Sequence, residues 1–219
     1  MRESAKSEKT LGKLLSSGGV IAISRGLYGD DLLRSVEAIV NGGVKAVEIA
    51  FEQGREHAAA GSIEMLKNRF SDEIAIGAGT VIDEERLKAA FNAGAEYIVS
   101  PNTDERIIVK TKELGLVSIP GAMTPTELIR AYDCGADIIK LFPAGALGPE
   151  YFKAVATPVK HIGIAAVGGI TLSNLAAFKA AGACAFGVSS SLFDPKLIKA
   201  GRFDELTANA LAYTELAKG

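Results

Sequence analysis

The sequence predicts an α/β protein, a single (β/α)₈ TIM barrel preceded by an N-terminal helix. Eight short apolar runs with the composition of buried parallel strands recur along the 219 residues. Their starts lie about 20 to 30 residues apart, which is the length of one strand, one helix and two short loops. Helical segments that begin at Asp, Ser or Thr and end at Gly separate them. This alternation favours strands and helices arranged around one closed parallel sheet.

The eight predicted strands are short and rich in Val, Ile and Ala. Residues 5–17 (AKSEKTLGKLLSS) precede the first of them and form a predicted amphipathic helix. The strands are 19–24 (GVIAIS), 45–51 (KAVEIAF), 73–78 (EIAIGA), 96–100 (EYIVS), 115–120 (GLVSIP), 137–142 (DIIKLF), 161–167 (HIGIAAV) and 183–188 (ACAFGV).

Capping residues mark the intervening helices. Thr124 is followed by Pro125 and Glu127, the pattern of a capped helix with Pro in its first turn. Asp83 is also predicted to open a helix, as is either Thr103 or Asp104, and glycines follow the predicted C-termini. The helices predicted in this way are 30–41, 83–93, 103–114, 124–134 and 173–181.

No change of composition divides the chain, so we expect one domain over 1–219, with 1–17 as a helical extension. An open doubly wound sheet is the alternative. That fold usually has fewer strands and a Gly-rich first turn, which this sequence lacks.

Composition excludes several classes of function. Twenty-four basic and 26 acidic residues give a net charge of −2, so we expect neither nucleic acid nor a membrane surface as partner. The first ten residues are polar, and no apolar run approaches the roughly 18 residues of a membrane span. The two cysteines, Cys134 and Cys184, are expected to be buried, inert thiols. A cytoplasmic enzyme is the predicted class.

Lys140 lies in the middle of the sixth predicted strand, where a charge is costly to bury. Desolvation lowers the pKa of an amine, and a neutral lysine in a dry pocket can attack a ketone to form a Schiff base. The alternative is a lysine at the wet end of the strand, with its ammonium in solvent.

Glu48 occupies an equivalent place in the second strand. Inward side chains of even-numbered strands share layers in this type of barrel, so Glu48 and Lys140 are expected to meet near the axis. An amine and a carboxylate that moves protons through water are what a Schiff-base enzyme needs. A purely structural ion pair is the alternative.

Three further regions of the barrel mouth carry candidate binding residues. Gly168 and Gly169 follow the seventh strand, and Ser189 and Ser190 follow the eighth, which is where this fold commonly binds phosphate; a plain turn is the alternative. Arg25 ends the first strand and suits a substrate carboxylate, although a surface salt bridge would explain it equally. Thr80 offers a hydroxyl beside it.

His57 and His161 are isolated in the sequence, so no metal site is expected.

Seven segments occur in the order seen in one known family. GGVKAVEIAF, IGAGTV, IVSPN, IPGAMTPTE, IKLFPA, VGGI and GVSSSL resemble those of the class I 2-keto-3-deoxy-6-phosphogluconate (KDPG)/4-hydroxy-2-oxoglutarate (KHG) aldolases. The resemblance covers about residues 10 to 195, and the most specific segment is KLFPA.

The resemblance implies an aldehyde-lyase of carbohydrate metabolism that cleaves a 2-keto acid to pyruvate and an aldehyde. It implies a Schiff base on Lys140 and Glu48 as general acid/base, with no cofactor, no metal and a homotrimeric assembly. The residues that it implies for the pyruvate pocket are Thr80, Pro101, Gly121 and Phe142, and those for the phosphate are Gly168, Gly169 and Ser190.

Some positions depart from the phosphogluconate branch. That branch usually has an arginine four residues after the glutamate, and here Glu52 stands there. Arg25 instead resembles the arginine of the 6-phosphogalactonate branch. Val167 and the segment 148–154 (GPEYFKA) also resemble that branch. Ser189 replaces a glycine beside the phosphate serine.

Two other functions fit the same residues. One is a metal-independent sugar-phosphate isomerase or epimerase that uses the carboxylate without an imine. The other is a non-catalytic barrel that binds a sugar phosphate.

Overall fold

The structure is a computed structural model that describes residues 2–70 and 72–219. Its strands are β1 (Val20–Ser24), β2 (Ala46–Ala50), β3 (Ala75–Gly79), β4 (Tyr97–Val99), β5 (Val117–Ile119), β6 (Gly121–Ala122), β7 (Ile139–Leu141), β8 (Ile164–Val167) and β9 (Ala185–Val188). Its helices are α1 (Arg2–Ser16), α2 (Gly29–Asn41), α3 (Glu56–Phe70), α4 (Glu84–Asn92), α5 (Glu105–Glu113), α6 (Pro125–Asp133), α7 (Ala144–Ala156), α8 (Leu175–Ala180), α9 (Pro195–Lys199) and α10 (Phe203–Lys218), with a 3₁₀ turn at Thr157–Val159.

The strands form one parallel sheet that curls into a nearly closed barrel of the TIM type. Their order is β5-β4-β3-β2-β1-β9-β8-β7-β6. The two strands at the ends of this order are separated in the chain only by Pro120, whose carbonyl accepts a 2.8 Å hydrogen bond from the Lys140 amide. Each predicted strand overlaps one observed strand, although β3 extends one residue beyond its prediction to Gly79, and β6 is an additional short strand directly after Pro120.

Alternating side chains divide the barrel into an inner and an outer core. The outer core packs between the sheet and the helices, while a smaller cluster fills the barrel. Ala46 on β2 and Ile138, which precedes β7, belong to the inner cluster. Glu48 and Lys140 stand two residues further along and therefore point inward, as predicted. Other inner residues are Ile21, Ile23, Ala75, Tyr97, Val99, Val117, Ile119, Ala165, Val167 and Ala185.

Three of the predicted helix starts are confirmed as side-chain caps, whereas α2 begins at Gly29, ahead of Asp30 and Asp31, and α8 follows Asn174 without a side-chain cap. Asp83 accepts a hydrogen bond from the Arg86 amide, and Asp104 accepts one from the Arg106 amide. Thr124 and Glu127 form a reciprocal capping box at the start of α6.

The sequence patterns did not identify α3, α7, α9 or α10. α10 packs against α2, and the Thr214 hydroxyl donates to the Gly42 carbonyl at the end of α2 (3.0 Å). No helix in the described ranges combines the length and apolar character that crossing a bilayer demands.

The expectation that both cysteines are buried was wrong. Cys134 and Cys184 are free thiols that are only half-buried. Partial burial still raises the pKa of the Cys184 thiol to about 11, and it raises the pKa of Cys134 as well. A raised pKa disfavours the reactive thiolate, so both thiols remain poor nucleophiles.

Candidate active site

Glu48 and Lys140 lie inside the barrel near the carboxyl ends of β2 and β7. Their exposed fractions are 3% and 7%. β2 and β7 are not neighbours in the sheet, because β1, β9 and β8 separate them. The two side chains therefore approach the barrel axis from different sides, as the layer argument predicted.

Burial shifts both groups toward their neutral forms. Desolvation raises the pKa of Glu48, and the opposing effects of Lys140 and then Arg25 are smaller. Desolvation likewise lowers the pKa of Lys140, an effect that Glu48 opposes and Arg25 reinforces. The three groups are thus coupled through space, and the free amine of Lys140 is more accessible near neutral pH than that of an ordinary lysine.

Glu48 and Lys140 do not form a direct ion pair. Among the described residues, no contact within 4.0 Å joins the carboxylate to the ammonium. Lys140 Nζ instead lies 4.8 Å from the centre of the Phe142 ring, a cation–π distance. Phe142 is itself 36% exposed, so the ring beside the amine also contacts solvent. The structural ion pair considered from the sequence is not the arrangement found.

β3 makes room for Glu48. A Cβ added to Gly79 would overlap the Glu48 carboxylate, so the acid lies directly over this glycine. Gly79 pairs in register with Ala50, two residues beyond Glu48 on the neighbouring strand, and the glutamate side chain therefore leans toward the mouth. The sequence motif GAGT contains this glycine, but only the structure shows which side chain occupies its space.

Arg25 and Thr80 meet at the mouth. Arg25 Nη2 donates to Thr80 Oγ1 at 3.3 Å. Thr80 adopts a left-handed backbone conformation with φ of 58°, which is unfavourable for a β-branched residue. Arg86, on α4, donates from Nη1 to the Thr80 carbonyl at 3.2 Å and is itself paired with Glu56 at 3.2 Å. No sequence pattern identified Arg86 as a support for Thr80.

Gly121 and Pro101 form a close backbone contact beside Lys140. A Cβ on Gly121 would collide with the backbone of Pro101. Gly121 also pairs in register with Lys140. These two residues of the predicted pyruvate pocket therefore lie side by side next to the backbone of β7, and only a glycine lets the chain after β4 approach β6 so closely.

Glu52 faces the loop that follows β1. Its Oε2 accepts a 2.9 Å hydrogen bond from the Tyr28 hydroxyl. The same carboxylate lies 3.3 Å from the position of a Cβ on Gly26. Arg55 is 5.9 Å from the centre of the Tyr28 ring. Glu52 is therefore anchored at the edge of the mouth, and no sequence pattern indicated Tyr28 as its partner.

The predicted phosphate residues follow two adjacent strands. Gly168 and Gly169 follow β8 and both have positive φ angles, 90° and 75°. Their carbonyls are already engaged: Gly145 N donates to Gly168 O (2.7 Å), and Asn174 Nδ2 donates to Gly169 O (2.9 Å). This leaves the backbone of the loop in a fixed conformation.

Ser189 and Ser190 are exposed directly after β9, which pairs with β8. The Ser189 hydroxyl donates to the Ile23 carbonyl at 2.9 Å and so joins the end of β9 to β1. Because the Ser189 hydroxyl is engaged in this way, the Ser190 hydroxyl is the better candidate to bind a ligand at this side of the barrel mouth.

Within residues 2–70 and 72–219, no three His, Cys, Asp or Glu side chains are grouped closely enough to hold a metal ion.

Comparisons with known proteins agree with these features. A family model described as KDPG and KHG aldolase matches residues 12–209. The 2-dehydro-3-deoxy-6-phosphogalactonate aldolase of Escherichia coli is 36% identical over 88% of this chain and 91% of its own. A native KDPGal structure has 33% identity and a TM-score of 0.81, covering 91% of this chain and 96% of that one.

A further solved structure is the KDPG aldolase of Legionella pneumophila with pyruvate captured at low pH as a covalent carbinolamine intermediate. It is 25% identical to this chain, with a TM-score of 0.78 and coverage of 90% and 97%.

Proposed function

Because this chain belongs to the family of KDPG and KHG aldolases, we propose that it is a class I aldolase acting on a 2-keto-3-deoxy-6-phospho sugar acid. The products are pyruvate and glyceraldehyde 3-phosphate, and the proposal includes 4-hydroxy-2-oxoglutarate as a second substrate, which gives pyruvate and glyoxylate. The observation that carries the proposal is a buried amine and a buried carboxylate that face one barrel interior without forming an ion pair.

The reaction begins at Lys140. Its neutral amine adds to the C2 carbonyl, and the carbinolamine takes up a proton and loses water to give a protonated imine. Glu48, through a water, takes the proton of the C4 hydroxyl. The electrons of the C3–C4 bond move into the imine, which releases the aldehyde and leaves an enamine. Glu48 returns the proton to C3, and hydrolysis of the imine releases pyruvate and restores Lys140.

The opposite charge of Arg25 suits the carboxylate of the keto acid. Its guanidinium is exposed at the mouth and is oriented by Thr80. The Phe142 ring lies 4.8 Å from the amine, and Gly121 with Pro101 lies beside the strand that carries it. These positions support the roles that the family resemblance implies for them.

The far end of the substrate is a phosphate in this proposal. Gly168 and Gly169 would present backbone amides to it, and Ser190 its hydroxyl. Ser189 contributes its backbone, because its hydroxyl proton is directed to Ile23. Arg25 together with the similarity to a phosphogalactonate aldolase favours that epimer over the phosphogluconate.

The same family implies the architecture and the assembly. Counting β5 and β6 as one strand interrupted at Pro120 gives an eightfold barrel, and we propose one domain over 1–219 with α1 as its N-terminal extension. We propose a homotrimer that works in the cytoplasm without cofactor, metal, nucleic acid or membrane. Phe91, Val109 and Ile129, exposed on α4, α5 and α6, offer apolar surface for assembly.

Borohydride reduction in the presence of pyruvate tests the imine. The wild-type chain should gain one reduced pyruvate, and peptide mass mapping should place it on Lys140. Lys140→Arg keeps the charge and serves as the matched control, which should show neither adduct nor turnover. An isomerase or epimerase would instead leave Lys140 unmodified, and Lys140→Arg would retain turnover.

A pyruvate assay coupled to lactate dehydrogenase then distinguishes the substrates. It should be run on the gluconate and galactonate phosphates, their unphosphorylated forms, and 4-hydroxy-2-oxoglutarate. A barrel that only binds sugar phosphates would be stabilised thermally by these compounds without releasing pyruvate from any of them.

A further inference from the structure

Tyr97 places a hydroxyl inside the barrel that the proposed mechanism does not use. The side chain is fully buried, at 0% exposure, and it belongs to the inner cluster on β4. Its Oη has no hydrogen-bond partner among the described residues. A buried hydroxyl without a partner is costly, so such groups in proteins usually bond to an ordered water or a ligand.

Glu48, Gly77 and Tyr97 form one row across three adjacent strands. Glu48 on β2 pairs with Gly77 on β3, and Gly77 pairs with Tyr97 on β4. A Cβ on Gly77 would overlap the Tyr97 ring, including the Cζ that carries the hydroxyl. The tyrosine therefore lies across β3 toward the strand that carries the acid.

The acid reaches the same strand from the other side. The Glu48 carboxylate lies over Gly79, two residues along β3 from Gly77, which corresponds to about 6.7 Å. Two hydrogen bonds of about 2.8 Å through one water span at most roughly 5.6 Å, the value for a straight bridge. The hydroxyl and the carboxylate both lie above the small residues of β3, one beside Gly77 and the other over Gly79, and the water of the proposal would fill the gap between them.

The charged groups around Tyr97 favour a hydroxyl that is directed toward Glu48 and not toward Glu96. Burial raises the pKa of Tyr97 most, followed by the negative charge of Glu48 and then that of Glu96. Glu96 already has partners of its own: Lys67 at 3.1 Å, Lys13 at 3.5 Å and the Ile76 amide at 3.1 Å. Glu48, in contrast, is paired with no cation within 4.0 Å in the described chain.

We propose that Tyr97 is a positioning residue whose hydroxyl donates a hydrogen bond to the Glu48 carboxylate through one internal water. The consequence for catalysis rests on the proposed function. A hydrogen bond to the ionised form stabilises it, so Tyr97 would partly offset the effect of burial on Glu48, alongside Lys140 and Arg25. It would also keep the carboxylate over β3, where it can reach the substrate.

Exchange of the pyruvate methyl protons in deuterium oxide isolates the step that depends on Glu48. In Tyr97→Phe the acidic limb of the exchange rate should move to higher pH by about half a unit to one unit, because loss of the donor raises the pKa of Glu48. Borohydride trapping on Lys140 should remain complete. Tyr132→Phe removes a hydroxyl on the outer face of α6 and should leave the profile unchanged. Superimposable profiles for wild type and Tyr97→Phe would overturn the proposal.

A crystal structure of the wild-type chain tests the same contact without reference to activity. One ordered water should lie within hydrogen-bond distance of both Tyr97 Oη and the Glu48 carboxylate. A hydroxyl turned toward Glu96, or no water between the two groups, would contradict the proposal even in an active aldolase. If the water is present and no adduct forms on Lys140, the proposed function fails and the hydrogen bond stands.

Discussion

Arg25 Nη2 lies 3.3 Å from Thr80 Oγ1, which joins the residue after β1 to the residue after β3. β2, the strand that carries Glu48, lies between those two strands. The contact therefore joins the two strands that flank the strand carrying the acid. It places a guanidinium where it influences both Glu48 and Lys140 electrostatically.

Replacing Arg25 by methionine should weaken pyruvate binding and change its pH dependence. Loss of a charged hydrogen bond to the carboxylate should raise the KM for pyruvate on the order of 10- to 100-fold. Arg25 lowers the pKa of Lys140, so the variant should have a higher amine pKa. Borohydride trapping requires the neutral amine, and its acidic limit should therefore shift to higher pH.

Arg106→Met is the matched control for that variant. Arg106 pairs with Asp104 on the surface and its side chain is 79% exposed, so the variant should keep the wild-type KM and trapping profile. An Arg25→Met enzyme with an unchanged KM would show that another group binds the carboxylate.

Gly79→Ala should reduce activity while the barrel still folds. The new methyl group would overlap the Glu48 carboxylate and displace it. A displacement of about 1 Å typically costs on the order of 100-fold in rate. In a Glu48→Ala background, adding Gly79→Ala should cost no further stability, a result that a double-mutant cycle of urea unfolding can measure.

Gly61→Ala controls for the glycine change itself. Nothing lies within 4 Å of a Cβ at Gly61 in α3. This variant should gain about 0.5–1 kcal/mol of stability and keep full turnover. If Gly79→Ala also turned over at the wild-type rate, Glu48 would have to act from a different position.

Glu48→Gln should separate imine formation from proton transfer. Turnover and pyruvate proton exchange should fall by about 10²- to 10⁴-fold, because the amide cannot take up a proton. Lys140 should still be trapped by borohydride. In the wild-type enzyme, burial raises the pKa of Glu48 above 4.5, so the acidic limb of proton exchange should lie above that value. Loss of the Lys140 adduct together with exchange would place Glu48 in imine formation instead.

The double variant Lys140→Met/Glu48→Gln should be more stable than the wild type near neutral pH, by about 1–4 kcal/mol in urea unfolding. Both charges are buried without a direct partner. The unfolded chain binds the Lys140 proton more tightly than the folded one, so wild-type stability recovers as the pH rises toward 10.5.

The pH dependence of stability that comes from Glu48 has the opposite sign to that from Lys140. Its folded pKa is raised, so its contribution to stability is lost as the pH rises from 4.5 through that folded value. The advantage of the double variant should therefore be largest at intermediate pH. A variant that is less stable than the wild type there would mean that the two groups support the fold.

The sequence located the central pair because each charge interrupts an apolar strand, and period-two alternation fixed the face to which it points. Helix caps such as Thr124 with Glu127 were equally predictable, because all their contacts are local. Contacts between a side chain and the backbone of a neighbouring element were not predictable. The hydrogen bond from Arg86 to the Thr80 carbonyl joins a helix to the end of a strand, and no sequence pattern predicts which side chain will reach that carbonyl.

Two other contacts were not predicted, for a related reason. They are the hydrogen bond between Tyr28 and Glu52 and the packing of α10 on α2. Each joins segments that are distant in sequence, and neither leaves a periodic pattern. The space above Gly77 and Gly79 is a further example. A glycine in a strand indicates that something approaches closely, but the fold alone shows that the neighbours are Tyr97 and Glu48.

The hydrogen bond from Gly145 N to Gly168 O has a consequence for substrate length. Gly145 lies at the start of α7, five residues after Lys140, so the loop after β8 is tied to the segment that follows the nucleophile. In the proposed reaction this contact would help to set the separation between amine and anion. A keto acid phosphate with one carbon more or fewer could not occupy both ends at once, and the enzyme would select its substrate by span as well as by stereochemistry.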